Sequence, residues 1–364
     1  MSWEKKKFID FILLQRGYDL TKEQIVPGIY PVVTSTSIMG YHSTYKAKRP
    51  GVVTGRSGTI GEVQYIDNNY WPHNTSLYVK DFKGNNPRFV YYFLKNFGTA
   101  RAKSGAAVPT LNRNSLSGIE VYIPNLDTQI KVANILTTYD NLIENNQKQI
   151  KLLEEAAQRL YKEWFVDLRF PGYEECKIVD GVPEGWERKK LVDIADVQYG
   201  YAFDGSRFND VGNGTPIIRI RNIPNGNTTD FTTEEADTKY IISNGEILVG
   251  MDGEFHINSW SGDNAYLVQR TCCFRPRKRE MNGWLFWAIY DPIKFYEKTV
   301  VGATVSHLGK KHIDAIELLT GPDELYIPFQ NIFEQRQKLL NQNNLLSEAR
   351  DRLLPKLMKG EIEV

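Results

Sequence analysis

The sequence predicts a mixed α/β (α+β) protein: two globular domains separated by two long helices that pair as an antiparallel coiled coil. Two observations carry this, a seven-residue apolar spacing in two separate stretches and an internal repeat. From about Asp127 to Phe165 no Pro or Gly interrupts the chain, and Tyr139, Asn146, Leu153 and Leu160 are each seven apart. Ile135 and Leu142 start a second line of the seam, with Ile150 and Ala157 slightly off step. Ile332, Leu339, Leu346 and Leu353 repeat the spacing about 200 residues later. Sustained heptads are the coiled-coil signal, and Asn146 on the seam is the kind of polar residue that fixes register at a cost in stability. A core helix of a globular domain would explain either stretch alone; two matching seams favour one antiparallel pair.

The repeat lies outside these helices. WEKKKFID at Trp3–Asp10 returns as WERKKLVD at Trp186–Asp193, and Gly17-Tyr18 returns as Gly200-Tyr201. VVTGRSG at Val52–Gly58 aligns with ILVGMDG at Ile247–Gly253, and GAAVPTL at Gly105–Leu111 with GATVSHL at Gly302–Leu308. The order is therefore domain, helix, domain, helix: a first domain over 1–125, a helix over 126–165, a linker rich in Pro and Gly over 166–185, a second domain over 186–325, and a second helix over 326–364.

Each copy reads as mixed. Phe8, Ile9, Phe11 and Ile12 suggest a short helix or turn, and Tyr30–Thr34 and Gly51–Thr54 are β-branched runs between Gly-rich turns. Arg88–Asn96 and Trp284–Tyr290 suggest a helix on one side of a sheet. Pro355 is expected to bend or break the last helix, and Gly360 suits its C-terminal cap.

Hydrophobic residues make up 41% and charged residues 24% of 364, which fits a soluble protein. The apolar runs are too short to span a bilayer. The opening MSWEKKKFIDF has no signal-peptide core, and the three Cys form no CxxC pair, so a cytoplasmic protein without a metal site is expected. The net charge of +1 is unevenly spread. Residues 1–124 carry 16 basic and 8 acidic side chains, while residues 164–322 carry 18 and 23. The first segment suits a polyanion on charge alone; the second needs local basic patches, for which Arg219, Arg221, Arg270, Lys310 and Lys311 are candidates.

The motifs of common catalytic classes are missing. There is no HExxH and no GxSxG, Gly302–Lys311 has the wrong spacing for a P-loop, and Asp291-Pro292-Ile293 is not an adenine-methyltransferase motif. A duplicated frame with a rigid spacer suggests a binding or scaffolding device.

Two loops per copy have groups suited to DNA. In GRSGTIG, Gly55–Gly61, Arg56 can fork onto guanine O6 and N7, with Ser57 beside it. In the second copy these become Met251 and Asp252, and Asp can accept from cytosine N4. A plain β-turn explains this loop equally well. The second loop, Lys103–Arg113, offers Lys103, Asn112 and Arg113 with Arg101 before it; its counterpart Val301–His312 offers His307, Lys310, Lys311 and His312. Each precedes an expected short helix, where backbone N–H groups favour phosphate, and a solvated loop remains the alternative. Lys48 and Arg49 close a basic aromatic run from Tyr41, and Trp71, His73 and Asn74 form another. Aromatics in such runs, like Tyr199, Tyr201 and Phe203, more often serve the core.

The pattern resembles the specificity subunit of type I restriction–modification systems, known as HsdS. The resemblance covers nearly the whole chain and rests on the Trp-Glu-x-Lys-Lys opening of each half, the GRSGTIG loop, LEEAAQRLYKEWF at Leu153–Phe165 and EARDRLLPKLMKGEIEV at Glu348–Val364. It implies two recognition domains that each read one half of a split, asymmetric sequence in double-stranded DNA. It also implies that the paired helices set the spacing and dock two methyltransferase subunits, which restriction/translocase subunits join. On this resemblance the chain is non-catalytic and holds no cofactor; S-adenosylmethionine, ATP and Mg belong to the partner subunits. The segment Leu319–Phe329 departs from the pattern and leaves the start of the second helix open. The alternatives are a coiled-coil scaffold that does not touch DNA, and a recognition half fused to methyltransferase or nuclease chemistry.

Overall fold

The computed structural model describes residues 3–55, 62–103, 116–299 and 306–364, with only the helical backbone for 99–103. The chain divides into two units, residues 1–142 with 346–364, and residues 143–345.

In the first unit β1 (Trp3–Lys7) pairs antiparallel with β9 (Glu120–Pro124), with Trp3 opposite Pro124 and Lys7 opposite Glu120. A single turn, α1 (Phe8–Phe11), follows β1 and buries Phe8 and Phe11. The main sheet has the order β2-β8-β5-β6: β2 (Leu13–Arg16), β8 (Ser76–Asp81), β5 (Gly51–Gly55) and β6 (Val63–Ile66). A smaller sheet of β3 (Pro27–Val33), β4 (Ile38–His42) and β7 (Trp71–Pro72) lies beside it in sequence. Helix α2 (Pro87–Lys103) contributes Phe89, Val90, Phe93 and Leu94 to the core of this unit. Val132, Ala133 and Leu136 enter that core from helix α3 (Leu126–Tyr161), which ends in a π-type turn at Lys162–Val166. So do Leu354, Leu357 and Met358 from the C-terminal helix.

The second unit repeats this plan. After a two-residue hairpin, β10 (Ile178–Val179) with β11 (Val182–Pro183), strand β12 (Glu187–Lys190) leads into the turn α4 (Leu191–Ile194) and pairs with β22 (Glu317–Thr320). The main sheet is β13-β21-β18-β19: β13 (Ala195–Tyr199), β21 (Thr271–Pro276), β18 (Ile247–Gly250) and β19 (Ile257–Ser259). Five short strands make the other sheet: β14 (Phe208–Asn209), β16 (Phe231–Thr232), β15 (Thr215–Ile218), β20 (Ala265–Leu267) and β17 (Ile241–Ile242), in that spatial order. Helices α5 (Asn282–Ala288) and α6 (Tyr290–Thr299) replace the single α2 of the first unit. The short α7 (Lys310–Asp314) precedes β22, and α8 (Ile327–Met358) closes the chain. Trp186, Leu191, Trp284, Phe329 and Phe333 share one core with Ala157 and Phe165 of the α3 end.

The repeated Gly-Tyr marks the same joint in both units. Gly17 N donates to Ser76 O at 3.1 Å, and Gly200 N to Thr271 O at 3.0 Å. A Cβ on Gly17 would sit 2.1 Å from His73 O, and one on Gly200 2.0 Å from Val268 O. Only glycine lets the two backbones approach this closely. Tyr18 and Tyr201 then bridge in parallel to His73 and Val268.

The seam differs in detail from its expected form. Leu142 is 46% exposed, whereas Leu136, Asn146, Ile150 and Ala157 are buried. The second line is therefore Leu136, Ile143, Ile150 and Ala157, which alternate in steps of three and four with Tyr139, Asn146, Leu153 and Leu160. Leu142, one residue off that line, falls outside the narrow stripe that a coiled coil buries, whereas Ile135 is half-buried against the core of the first unit. On α8 one line is Ile332, Leu339, Leu346 and Leu353, and the other is polar: Arg336, Asn343 and Arg350 before Leu357. In the second unit Asn146 Nδ2 donates to Gln342 Oε1 at 3.4 Å, and Arg336 Nε to Glu154 Oε1 at 2.7 Å. In the first, Arg350 Nη1 donates to Asp140 Oδ1 at 2.6 Å, and Tyr92 from α2 donates to the same carboxylate at 2.5 Å. In each unit the segments thus run antiparallel. Pro355 does not break α8, which continues to Met358; Gly360 follows at φ +70°.

Candidate nucleic-acid interface

In the second unit three distant segments converge at the end of β18. Met251 N donates to Arg270 O at 2.9 Å, Leu308 N to Met251 O at 2.8 Å, and Gly253 N to Ser306 O at 3.0 Å. This ladder brings together Asp252, Arg270 and His307, which the sequence holds 18 and 37 residues apart. His307 Nδ1 lies 2.6 Å from Asp252 Oδ1, and Arg270 Nε 3.5 Å from Asp252 Oδ2. A carboxylate only accepts, so His307 Nδ1 is the donor in this contact. Arg270 Nη1 lies 3.3 Å from the same ring nitrogen.

The other basic candidates in this unit are engaged differently. Arg221 forks onto Asp230, with Nε to Oδ2 at 3.1 Å and Nη2 on Oδ1. Burial raises the Asp230 pKa, but Arg221 and Asn222 outweigh it and hold the carboxyl below its usual range. Arg219 lies with its guanidinium 5.5 Å from the Phe208 ring. This turn is close to β18: a Cβ on Gly250 would meet Ile220 Cγ2 at 3.2 Å. Lys310 is paired within its own helix to Asp314 at 2.7 Å. His312 Nδ1 accepts from Gly309 N at 3.0 Å and so closes the first turn of α7 next to Lys311. Burial first, then Lys311 and His307, hold the His312 imidazole below its ordinary pKa.

In the first unit the corresponding joint is built from other side chains. His73 Nε2 faces Leu20 O at 3.1 Å and Nδ1 faces Thr75 Oγ1 at 3.0 Å. Asn74 bonds Asp19, which Arg16 also approaches at 3.7 Å. Lys48 and Arg49 are exposed on the loop before β5, where Arg49 N donates to Asn69 Oδ1. Arg56, Ser57, Asn112 and Arg113 lie outside the described residues, as do the side chains of Arg101 and Lys103. The aromatic runs divide: His42, Trp71 and Phe203 are buried, whereas Tyr41 and Tyr201 are exposed, and Trp71 carries the Lys46 ammonium over its ring at 4.9 Å. The sequence reading missed Arg16, Asp19 and Asp230, whose spacing gives no sign of the partners they meet.

Among the described residues no group of His, Cys, Asp or Glu is arranged to hold a metal ion, and no helix is long and apolar enough to cross a membrane. Fold and site together define a tandem-module protein: one frame used twice, carrying different polar groups at the same joints. The family model for the type I restriction–modification DNA specificity domain matches residues 2–155 and 183–324, and the chain belongs to that family. The specificity subunit of the type I restriction enzyme MjaIX from Methanocaldococcus jannaschii is 26% identical over 298 residues, covering 76% of this chain and 69% of that protein. That of HindI from Haemophilus influenzae is 25% identical, covering 76% and 77%. The crystal structure of the S subunit of a type I system from M. genitalium has the same fold, with a TM-score of 0.60 at 17% identity over 98% of this chain and 96% of that one.

Proposed function

We propose that this chain is the DNA-specificity subunit of a type I restriction–modification complex and that each of its two α/β modules reads one half of a bipartite, asymmetric target. The observation that carries this is the duplicated joint. Its Gly-Tyr pair and its backbone bonding recur in both units, while the side chains around it differ, as two readers of different sequence need. In this reading the helices fix the distance between half-sites and dock two methyltransferase subunits. Leu152 and Leu345, exposed on α3 and α8, are apolar groups that a partner would cover. Restriction/translocase subunits join the same cytoplasmic complex. The chain itself performs no chemistry; S-adenosylmethionine, ATP and Mg are held by the partners.

The test is methylation by the full chain with its methyltransferase partner, on a DNA library with two randomised blocks and a variable spacer. Two short preferred blocks at one spacer length are expected. Methylation without sequence preference, or with a single continuous block, would refute the reading.

A further inference from the structure

Resting on that reading, we infer that Arg270 reads a guanine in the half-site of the second unit, and that Asp252 and His307 are positioning residues that aim its guanidinium. Three observations on this side chain support it. The first is backbone geometry. Arg270 has φ +69°, a conformation a bulky side chain adopts only where its surroundings impose it. Here they do: Gln269 N donates to Tyr201 O at 2.7 Å on one side, and Met251 N to Arg270 O at 2.9 Å on the other. The turn between β20 and β21 is therefore held in place and projects one long donor side chain.

The second is charge. Arg270 is 55% exposed, while Asp252, 29% exposed, sits against its Nε edge. A carboxylate this close repels phosphate and cancels most of the net attraction on which backbone contacts depend. It leaves the directional part of the interaction. Asp252 Oδ2 lies 3.5 Å from Nε, His307 Nδ1 lies 3.3 Å from Nη1, and among the described residues Nη2 has no acceptor. The Nη1–Nη2 edge matches guanine O6 and N7, the bidentate pairing available in the major groove.

The third is the repeat. The Gly-Tyr pair of the joint recurs in both copies, but Arg270 falls where the first unit has Thr75, and Asp252 aligns with Ser57. The Arg–Asp pair belongs to what one module reads, not to the frame.

The experiment uses the full chain with its methyltransferase partner, and measures methylation across all four bases at each target position and binding as a function of salt. Arg270→Ala is expected to lower methylation of the preferred target about ten- to hundredfold and to abolish the preference for G·C at one position of one half-site. The other half-site should be unchanged, which shows that the variant is folded. The slope of log affinity on log salt should also stay constant. Arg270→Lys should not restore the preference, because an ammonium offers no fork. Asp252→Asn should weaken the preference at that same position only. A uniform loss across all sequences, with a salt slope reduced by about one, would make Arg270 a phosphate contact and overturn the inference. Unchanged preferences would overturn it as well. If the unsubstituted chain shows no sequence preference, the specificity reading beneath it fails first.

Discussion

Replacing Arg336 by alanine removes the side chain on which three parts of the second unit converge. Its residue exposure is 5%, and all three guanidinium nitrogens are engaged. Nε donates to Glu154 on α3, Nη1 to Ser259 Oγ and Nη2 to Asn258 Oδ1 on β19, each at 2.7 Å. Breaking a buried pair by removing one partner costs about 3–5 kcal/mol, mostly for the charge left behind. Here the stranded charge is Glu154, about a third exposed, so water recovers part of it. Ser259 keeps Gln337 and Asn258 keeps Ser259 N, so neither neutral partner is orphaned. The low end, about 3 kcal/mol, is therefore expected. Arg336→Met with Glu154→Leu removes both charges and keeps the volume, and should recover most of that loss. The assay is urea denaturation followed by tryptophan fluorescence, which reports this unit through Trp164, Trp186, Trp260, Trp284 and Trp287. A loss below about 1 kcal/mol for the alanine variant, or a double variant no more stable than Arg336→Ala, would show that the arginine does not lock helix to sheet.

Three further outcomes are expected. Gly200→Ala places a Cβ against Val268 O and should cost about 1–3 kcal/mol by forcing the joint open; an unaltered denaturation midpoint would contradict the close approach. Because Asp230 has a depressed pKa in the folded chain, its stabilising contribution is complete above the unfolded value near 3.9 and is lost as pH falls through the folded value. Asp230→Asn should therefore flatten the acid limb of a stability–pH curve, and an identical limb in both proteins would exclude the linkage. Burial pushes the Cys272 and Cys273 thiols far up, so a thiol reagent should modify Cys176 alone in the native chain and all three after unfolding; three reactive thiols in the native chain would contradict the core of β21.

The seam and the joints were legible in the sequence to different depths. Tyr139, Asn146 and Leu153 announce a heptad because positions seven apart share one face of a helix but alternate between the two faces of a strand. The polar line of α8 gives no such sign: Arg336 and Arg350 read as solvated charges until Glu154 and Asp140 are placed opposite them. The same holds for the Asp252, Arg270 and His307 cluster. Each residue was suspect alone, but only strand pairing brings them to one point, because a sheet joins positions that have no fixed spacing along the chain. The Gly-Tyr repeat was visible as text, and its reason, the carbonyl 2.0–2.1 Å from an added Cβ, was not.

The first unit's core is closed by Leu354, Leu357 and Met358, and its Asp140 waits for an arginine 210 residues away. On a ribosome adding about 5–20 residues per second, that partner follows some 10–40 seconds behind. Until then the core that Val132, Ala133 and Leu136 share with α2 lacks the cover of Leu354, Leu357 and Met358. The second unit is continuous in sequence and can close first. The module made first is thus the one completed last, and its exposed face during synthesis is where chaperones or misassembly between nascent copies would act.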